Sequence, residues 1–280
     1  MKKFLEKLRR FWWLEFRNEI RILQRKQCHR NDEEYELKKR LEDPIHLERF
    51  GYKVYSQNDE DGIIDEIFKR IGTEDKRFVE FGVENGLESN GHFLLHKGWH
   101  GIWIDADREN ISALYSFFKR PIEDHRLIVI NAFITTGNIN QLIGVEGKCT
   151  GKIDLLSIDV DGNDYWIWEA IRCIDPRVVV IEYNAKFPPS YEWVMKYNEK
   201  YIWQEDDEQG ASLKSLELLG KKLGYQLVGT NLNGVNAFFV KKALAKDLFP
   251  EPATAETVYN PARWNIQYVS GHPCKKYIGN

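Results

Sequence analysis

Cysteine is scarce in this chain: there are four in 280 residues, and no two of them stand in a C-x-x-C spacing. The set therefore suggests neither a zinc ribbon nor a disulfide framework, and a reducing compartment explains it more simply. No apolar run approaches the roughly 18 residues that a spanning helix needs, and the short run FWWL cannot form the core of a signal peptide. We expect a cytoplasmic protein.

Net positive charge is confined to the first 30 residues of the chain. Residues 1–30 hold ten Lys/Arg against three Glu, a net charge of +7, whereas the remaining residues hold 30 basic against 40 acidic side chains, a net charge of −10. A folded domain that wraps nucleic acid usually needs a basic face. The acidic body argues against that class of partner.

The basic head is amphipathic. Over residues 1–27 apolar side chains recur at spacings of three and four, and Lys/Arg fill most other positions, which predicts a helix. One interpretation places this helix on the inner face of an anionic membrane, since Trp and Phe accompany the basic residues. The alternative packs it on its own domain or on a second subunit, which Glu6, Glu15 and Glu19 favour because anionic lipid would repel them.

Five β-rich runs alternate with helix-like segments after residue 77, a pattern typical of βαβ units around a buried parallel sheet. They are RFVEFGV, GIWIDAD, RLIVINAFI, KIDLLSIDV and RVVVIEY. A later segment, YQLVGTNLNGVNAFFVKK, predicts an antiparallel hairpin. We divide the chain into a head and connector (1–50), an α/β domain (51–250) with an aromatic insertion (186–210), and a C-terminal extension (251–280).

The end of the first strand, FVEFGVENG, is the first candidate site, because ligands of open parallel sheets bind beyond the carboxyl ends of strands. Gly82 and Gly86 allow a tight turn, and Glu80 would repel phosphate but attract an ammonium group. The run lacks the G-x-G-x-x-G of a pyrophosphate site. Asp105, 25 positions after Glu80, suits the hydroxyls of an adenosine ribose. A strand, turn and helix cap, with Asp105 as a second cap, explain the same residues without a ligand.

Acids also follow the fourth and fifth strands. Asp159, Asp161 and Asp164 lie in LLSIDVDGNDYW, and Glu182 and Asn184 lie in IEYN. Oxygen ligands at two adjacent strand ends suit Mg²⁺ or a similar hard cation, which could lower the pKa of a substrate hydroxyl. Against a metal, D-x-D-G is also a common turn, and Asp164 could cap the next helix.

These motifs, with YSQNDEDGIIDEIF before them and GVNAFFV after them, resemble the FkbM-type S-adenosylmethionine-dependent methyltransferases over roughly residues 55–242. The resemblance implies a class I, Rossmann-like fold: an α/β seven-stranded, mostly parallel sheet with a terminal antiparallel hairpin. It implies S-adenosylmethionine as cofactor. The cofactor-binding residues that it implies are Gln57, Glu80, Gly82, Gly86, Asp105, Asn131 and Ala132.

The strand-end acids are also similar to those of cation-dependent catechol-type O-methyltransferases, which implies a divalent metal, Mg²⁺ or similar, on Asp159, Glu182 and Asn184. Tyr183 interrupts the last pair and departs from that pattern. Asp159, Asp161 and Asp164 are the candidate catalytic residues. For the other candidate bases, His92, His96 and His272, a surface or helix-face role is the better explanation.

The function predicted is O-methylation of a sugar or glycan hydroxyl. Tyr191, Trp193, Tyr201 and Trp203 of the insertion could stack on a sugar ring or form the core of a small lid. One alternative is a nicotinamide-dependent sugar oxidoreductase, although the three-glycine fingerprint and a Tyr-x-x-x-Lys site are missing. Another is a non-catalytic scaffold that keeps the fold.

Overall fold

The computed structural model describes residues 37–203 and 208–263. The chain divides into two compact units, Met1–Pro44 and Ile45–Asn280. The larger unit begins before the predicted boundary at residue 50 because Leu47 is fully buried in its core. The head of residues 1–27 and His272 lie outside the described residues, so their roles stay predictions. Among the described helices, none has the length and apolar character needed to cross a membrane.

Seven strands form one sheet in the larger unit. They are β1 (Arg77–Phe81), β2 (His100–Asp105), β3 (Leu127–Asn131), β4 (Gly151–Ile158), β5 (Ile174–Glu182), β6 (Tyr225–Thr230) and β7 (Asn236–Lys241). Their spatial order is β3-β2-β1-β4-β5-β7-β6, and β7 alone runs antiparallel to its neighbours. The predicted fold class is thereby confirmed: a mostly parallel seven-stranded sheet closed by an antiparallel hairpin.

Helices cover both faces of this sheet. They are α1 (Glu60–Ile71), α2 (Asn90–His96), α3 (Arg108–Phe117), α4 (Lys119–Glu123), α5 (Ile139–Gln141), α6 (Asp164–Ala170), α7 (Leu213–Lys222), α8 (Lys242–Ala245) and α9 (Ala255–Val258). Short 3₁₀ helices span Leu47–Phe50 and Lys246–Leu248, and a π turn spans Leu142–Glu146.

The central strands are buried on both sides, which is why their sequences are nearly continuous runs of apolar residues. Successive side chains of a strand point to opposite faces. Val178 and Val180 therefore join the core beneath α1 to α3, whereas Val179 and Ile181 join the core beneath α6 and α7; all four are fully buried. This double cover leaves the carboxyl edge of the sheet as the place where polar side chains gather.

The C-terminal extension belongs to the same unit as far as it is described. Ala255 and Val258 of α9 are fully buried, and the Thr230 hydroxyl at the end of β6 donates a 2.6 Å hydrogen bond to the Val258 carbonyl. A Cβ on Gly234, in the β6–β7 turn, would lie 2.4 Å from the Pro261 carbonyl oxygen. The hairpin turn is therefore held from outside by residues 258–261.

Candidate functional site

The turn after β1 has positive φ at three alternate positions: Gly82 (63°), Glu84 (49°) and Gly86 (76°). A Cβ on Gly82 would lie 1.8 Å from the Asp159 carbonyl oxygen at the end of β4. A Cβ on Gly86 would lie 2.6 to 2.8 Å from side chains of α3, β2 and Phe118. Both glycines are thus required by packing as well as by backbone conformation.

Glu80 anchors the helix that follows the turn. Its carboxylate accepts hydrogen bonds from the backbone amides of Asn90 (2.7 Å) and Gly91 (2.8 Å) and from Trp103 Nε1 (2.8 Å). Burial raises its pKa to about 7, although these three bonds oppose the shift. The cap of α2 therefore comes from the neighbouring strand. The predicted contact between Glu80 and the cofactor stays a prediction.

Asp105 joins the end of β2 to the glycine turn. It accepts hydrogen bonds from the backbone amides of Glu84 and Asp107, both at 2.8 Å. The helix cap considered for Asp105 is supplied by Asp107 instead, which accepts from the Glu109 (2.7 Å) and Asn110 (3.0 Å) amides at the start of α3. Asp105 thus binds the turn, and its contact with α3 is the longer bond from Asn110 Nδ2 (3.4 Å).

The other predicted cofactor-binding residues lie close to Asp105 and the glycine turn. Asn131 Nδ2 donates to the backbone carbonyls of Asp105 and Ala106, both at 3.0 Å, and the Ala132 amide donates to the Asp105 carbonyl at 3.0 Å. Gln57 is exposed. Its carbonyl accepts from Lys53, which also forms a 2.8 Å ion pair with Glu88 just beyond the turn.

Three carboxylates converge at the ends of β4 and β5. One oxygen each from Asp159, Asp161 and Glu182 lies within 4.8 Å of the other two. Burial raises the pKa of all three, and the neighbouring acids raise those of Asp159 and Glu182 further. Every charged neighbour that shifts these pKa values is itself an acid. Ionisation of all three would therefore bring negative charges together with no basic side chain of the described residues among the groups that shift their pKa values.

The acidic turn between β4 and α6 is shaped by Asp164. Its carboxylate accepts from the backbone amides of Val160 and Gly162, both at 2.9 Å, and its pKa is raised to about 6, mainly by burial. This leaves Asp161 at φ 53°, a left-handed conformation that Asp tolerates better than most residues. Asp164, one of the predicted catalytic residues, thus holds the turn that presents Asp161.

The carboxylate group contains two of the predicted metal ligands, Asp159 and Glu182, together with Asp161. Asn184, the third predicted ligand, fixes the start of the insertion: its Nδ2 donates to the Gln209 carbonyl (3.1 Å), and its Oδ1 accepts from the Lys186 amide (3.2 Å). Its role as a metal ligand stays a prediction. Sequence reasoning also missed Glu84, whose pKa is raised by burial and by Asp105. Its place between the two glycines was the available signal.

The aromatic insertion packs on the acidic turn. The Gly210 amide donates to the Gly162 carbonyl (3.2 Å), and a Cβ on Gly162 would lie 2.5 Å from the Tyr201 ring. Tyr201 therefore has a packing role. Phe187, by contrast, stacks on Tyr191 (centroids 5.7 Å apart) and on Trp193 (4.6 Å), and Tyr191 is 54% exposed.

The two described candidate histidines are packing residues. The rings of His92 and His96 stack on Tyr55, with centroid distances of 3.9 and 4.9 Å. His92 Nδ1 lies 3.1 Å from the Leu87 carbonyl oxygen, and burial lowers the pKa of this fully buried ring to about 4. His92 is therefore neutral at pH 7, and its Nδ1–H donates to that carbonyl.

No protein-family profile and no curated protein matches this chain. Solved structures that resemble it include an O-methyltransferase from Bacillus cereus in complex with SAH, at 14% identity over 64% of this chain and 78% of that one, with a TM-score of 0.42. TrmK of M. capricolum in complex with S-adenosylhomocysteine has 13% identity, coverages of 64% and 67%, and a TM-score of 0.37. The glycopeptide N-methyltransferase MtfA complexed with sinefungin has 9% identity, coverages of 68% and 90%, and a TM-score of 0.38. No residue role follows from similarities at this level.

Proposed function

We propose that this protein is an S-adenosylmethionine-dependent O-methyltransferase that acts on a sugar or glycan hydroxyl with the help of a divalent cation. The observation that supports it most is the surroundings of the glycine turn. Asp105 is bonded to the turn at the Glu84 amide, and the acids Glu84, Asp105 and Asp161 lie close enough to influence one another.

This charge favours a cationic ligand over a phosphate. The donor supplies a methyl group already activated on a positively charged sulfonium, so no covalent help from the protein is needed. Coulombic repulsion from Asp105 and Asp161 contributes to the raised pKa of Glu84, which reports a negative potential at the turn. That potential would attract a sulfonium or an ammonium group and would oppose the pyrophosphate of a nicotinamide cofactor. The oxidoreductase alternative is accordingly disfavoured.

The carboxylate group fits a hard divalent cation. Three acidic side chains supply oxygens within 4.8 Å of one another, which is the donor chemistry that Mg²⁺ prefers. Asp159, Asp161 and Glu182 would hold the ion, and a bound ion would lower the pKa of an acceptor hydroxyl. In its absence the like charges oppose one another, as the raised pKa values of Asp159 and Glu182 indicate.

The residues around this group would orient the acceptor and move its proton. Asp161 is the most exposed of the three carboxylates. With one oxygen on the ion, its other oxygen would serve as proton acceptor. The stacked rings of Phe187, Tyr191 and Trp193 begin five residues after Glu182 and offer an exposed aromatic face. Such a face suits the apolar side of a sugar ring.

Calorimetry on the purified full chain tests the donor class. We expect S-adenosylhomocysteine to bind and NAD⁺ not to bind. Binding of NAD⁺ in place of S-adenosylhomocysteine would reverse the choice between the two cofactor classes. Transfer of a labelled methyl group to members of a glycan panel, with Mg²⁺ or with a chelator, then tests the reaction. Donor binding without transfer to any acceptor would favour the scaffold alternative.

A further inference from the structure

The row of residues across the carboxyl edge does not end at Glu182. In the antiparallel β5–β7 pair Glu182 lies opposite Asn236. The Tyr183 amide bonds to the Val235 carbonyl at the next position (2.9 Å), so the alternation of the ladder makes Glu182 and Asn236 a non-hydrogen-bonded pair. Side chains of such a pair share a face, with Cβ atoms about 4.5 to 5.5 Å apart.

The apolar core also places the Glu182 and Asn236 side chains on one face of the sheet. Val178 and Val180 on β5 and Phe238 and Val240 on β7 belong to one apolar cluster, and all are fully buried. Since side chains alternate along a strand, Glu182 and Asn236 are the polar continuation of these two rows. Asn236 therefore lies beside the carboxylate group of Asp159, Asp161 and Glu182.

A buried glutamate fixes the orientation of the Asn236 amide. Glu60, at the start of α1, is fully buried. Its Oε1 accepts from Asn236 Nδ2 (3.0 Å) and from Asn231 Nδ2 (2.9 Å). A carboxylate accepts hydrogen bonds, so the nitrogen of Asn236 must face Glu60 and its Oδ1 must face away from it.

Asn236 Oδ1 has no hydrogen-bond donor in the described part of the fold. Asn236 is 8% exposed, and within residues 37–203 and 208–263 no donor bonds to its Oδ1. Asn231 differs in this respect, because its Oδ1 accepts from the Val235 (2.8 Å) and Asn236 (2.9 Å) amides. Asn236 Oδ1 is not one of the fully buried unpaired polar atoms of the described residues, so solvent reaches it and a cation could take the place of water there.

We infer that Asn236 Oδ1 is a fourth, neutral oxygen donor to the cation held by Asp159, Asp161 and Glu182. The inference rests on the metal in the proposed function. Hard divalent cations accept amide carbonyl oxygens together with carboxylates. A fourth carboxylate would add repulsion to a group of three acids, whereas an amide adds a ligand without charge. Asn236 would thus fill the place that the sequence assigned to Asn184.

Mn²⁺ binding to the full-length protein, followed by electron paramagnetic resonance without donor or acceptor, tests this role. We expect Asn236→Leu to weaken Mn²⁺ binding at least ~10-fold, since it removes a direct ligand, and to leave S-adenosylhomocysteine affinity unchanged. Asn233→Leu is the matched control: it removes a buried hydrogen bond of the β6–β7 turn, from Asn233 Nδ2 to Asn58 Oδ1 (2.8 Å), so it should lower thermal stability yet leave Mn²⁺ affinity near the wild-type value.

A measurement on the wild type covers the case in which the variants fold poorly. On titration with Mg²⁺, the side-chain amide NMR signals of Asn236 should shift while those of Asn233 stay in place. Equal Mn²⁺ affinity in wild type and Asn236→Leu, or equal weakening by both variants, would overturn the role of Asn236 and leave the proposed function intact. A wild type that binds no Mn²⁺ would remove the metal itself, whereas donor binding would still be decided by calorimetry.

Discussion

Gly82 and Asp159 meet at the ends of two neighbouring parallel strands, where a Cβ on Gly82 would lie 1.8 Å from the Asp159 carbonyl oxygen. The contact joins the two halves of the candidate site, because Gly82 opens the turn proposed for the donor and Asp159 belongs to the carboxylate group. Neither half can move at this point without moving the other.

Gly82→Ala should therefore impair both halves at once. The new methyl group must displace the β4 backbone, so we expect loss of S-adenosylhomocysteine binding and of Mn²⁺ binding together with a large loss of stability. Gly224→Ala is the control, since Gly224 also has positive φ (86°) but nothing within 4 Å of its added Cβ. It should cost only the backbone strain of about 1 to 2 kcal/mol. Urea unfolding and calorimetry provide the measurements, and equal behaviour of the two variants would contradict the contact.

Asp105 and Asp107 allow the turn and the helix to be tested separately. Asp105→Ala removes the acceptor of the Glu84 amide, so we expect at least a 10-fold loss of S-adenosylhomocysteine affinity, or about 1.4 kcal/mol. Asp107→Ala removes the cap of α3 and should cost about 1 kcal/mol of stability with affinity unchanged. Calorimetry and thermal unfolding distinguish the outcomes. Equal loss of affinity in both variants would assign Asp105 a structural role only.

Neutralising one carboxylate of the group should stabilise the metal-free protein. The pKa values of Asp159 and Glu182 are raised, so each costs stability when ionised, and this cost is present above the raised pKa and disappears as the pH falls below it. At pH 8 with a chelator we expect Asp159→Asn and Glu182→Gln to raise the Tm, by about 2 to 4 °C for each kcal/mol relieved. Both should also abolish the stabilisation that Mg²⁺ gives the wild type.

The control for that experiment is Asp175→Asn at the opposite end of β5. Asp175 forms a 2.6 Å ion pair with Lys241 and its side chain is 54% exposed, so its loss should cost at most about 1 kcal/mol and leave the response to Mg²⁺ intact. A Tm that falls in Asp159→Asn and Glu182→Gln, with Mg²⁺ stabilisation retained, would show that the carboxylates do not repel one another.

The fold could be predicted because its signals are local. Each buried strand is a short apolar run, and the loop between β6 and β7 places Gly234 at positive φ (71°), a conformation that glycine adopts readily. The convergence of Asp159 and Glu182 could be predicted as well, since both acids lie at the carboxyl ends of neighbouring parallel strands.

Two features of the candidate site could not be predicted, because they depend on strand register or on the local direction of the backbone. Asp105 and Asp107 are two residues apart, and the sequence does not say which of them caps α3. Asn236 lies 54 positions after Glu182, and only the register of β7 brings it to the acidic group. In the sequence Asn236 is a polar residue at the same alternate spacing as Phe238 and Val240. That pattern points to a site only once the pairing of β7 with β5 is known.

The pH dependence of stability tests the burial of His92. Its pKa is about 4 in the folded protein against an ordinary 6.5, so protonation favours the unfolded chain. The stability that the neutral, buried His92 allows is fully present above pH 6.5. As the pH falls from 6.5 toward 4, the free energy of unfolding should drop by about 3 kcal/mol in all.

His92→Asn removes the titrating ring and should be less stable than wild type at pH 7.5, but its stability should fall less steeply on acidification. Leu218→Asn, at an exposed position of α7, serves as control, because it changes no titratable group and should keep the wild-type slope. Urea unfolding followed by tryptophan fluorescence between pH 7.5 and 4.5 gives these slopes, and a wild-type slope in His92→Asn would mean that His92 is hydrated and not buried.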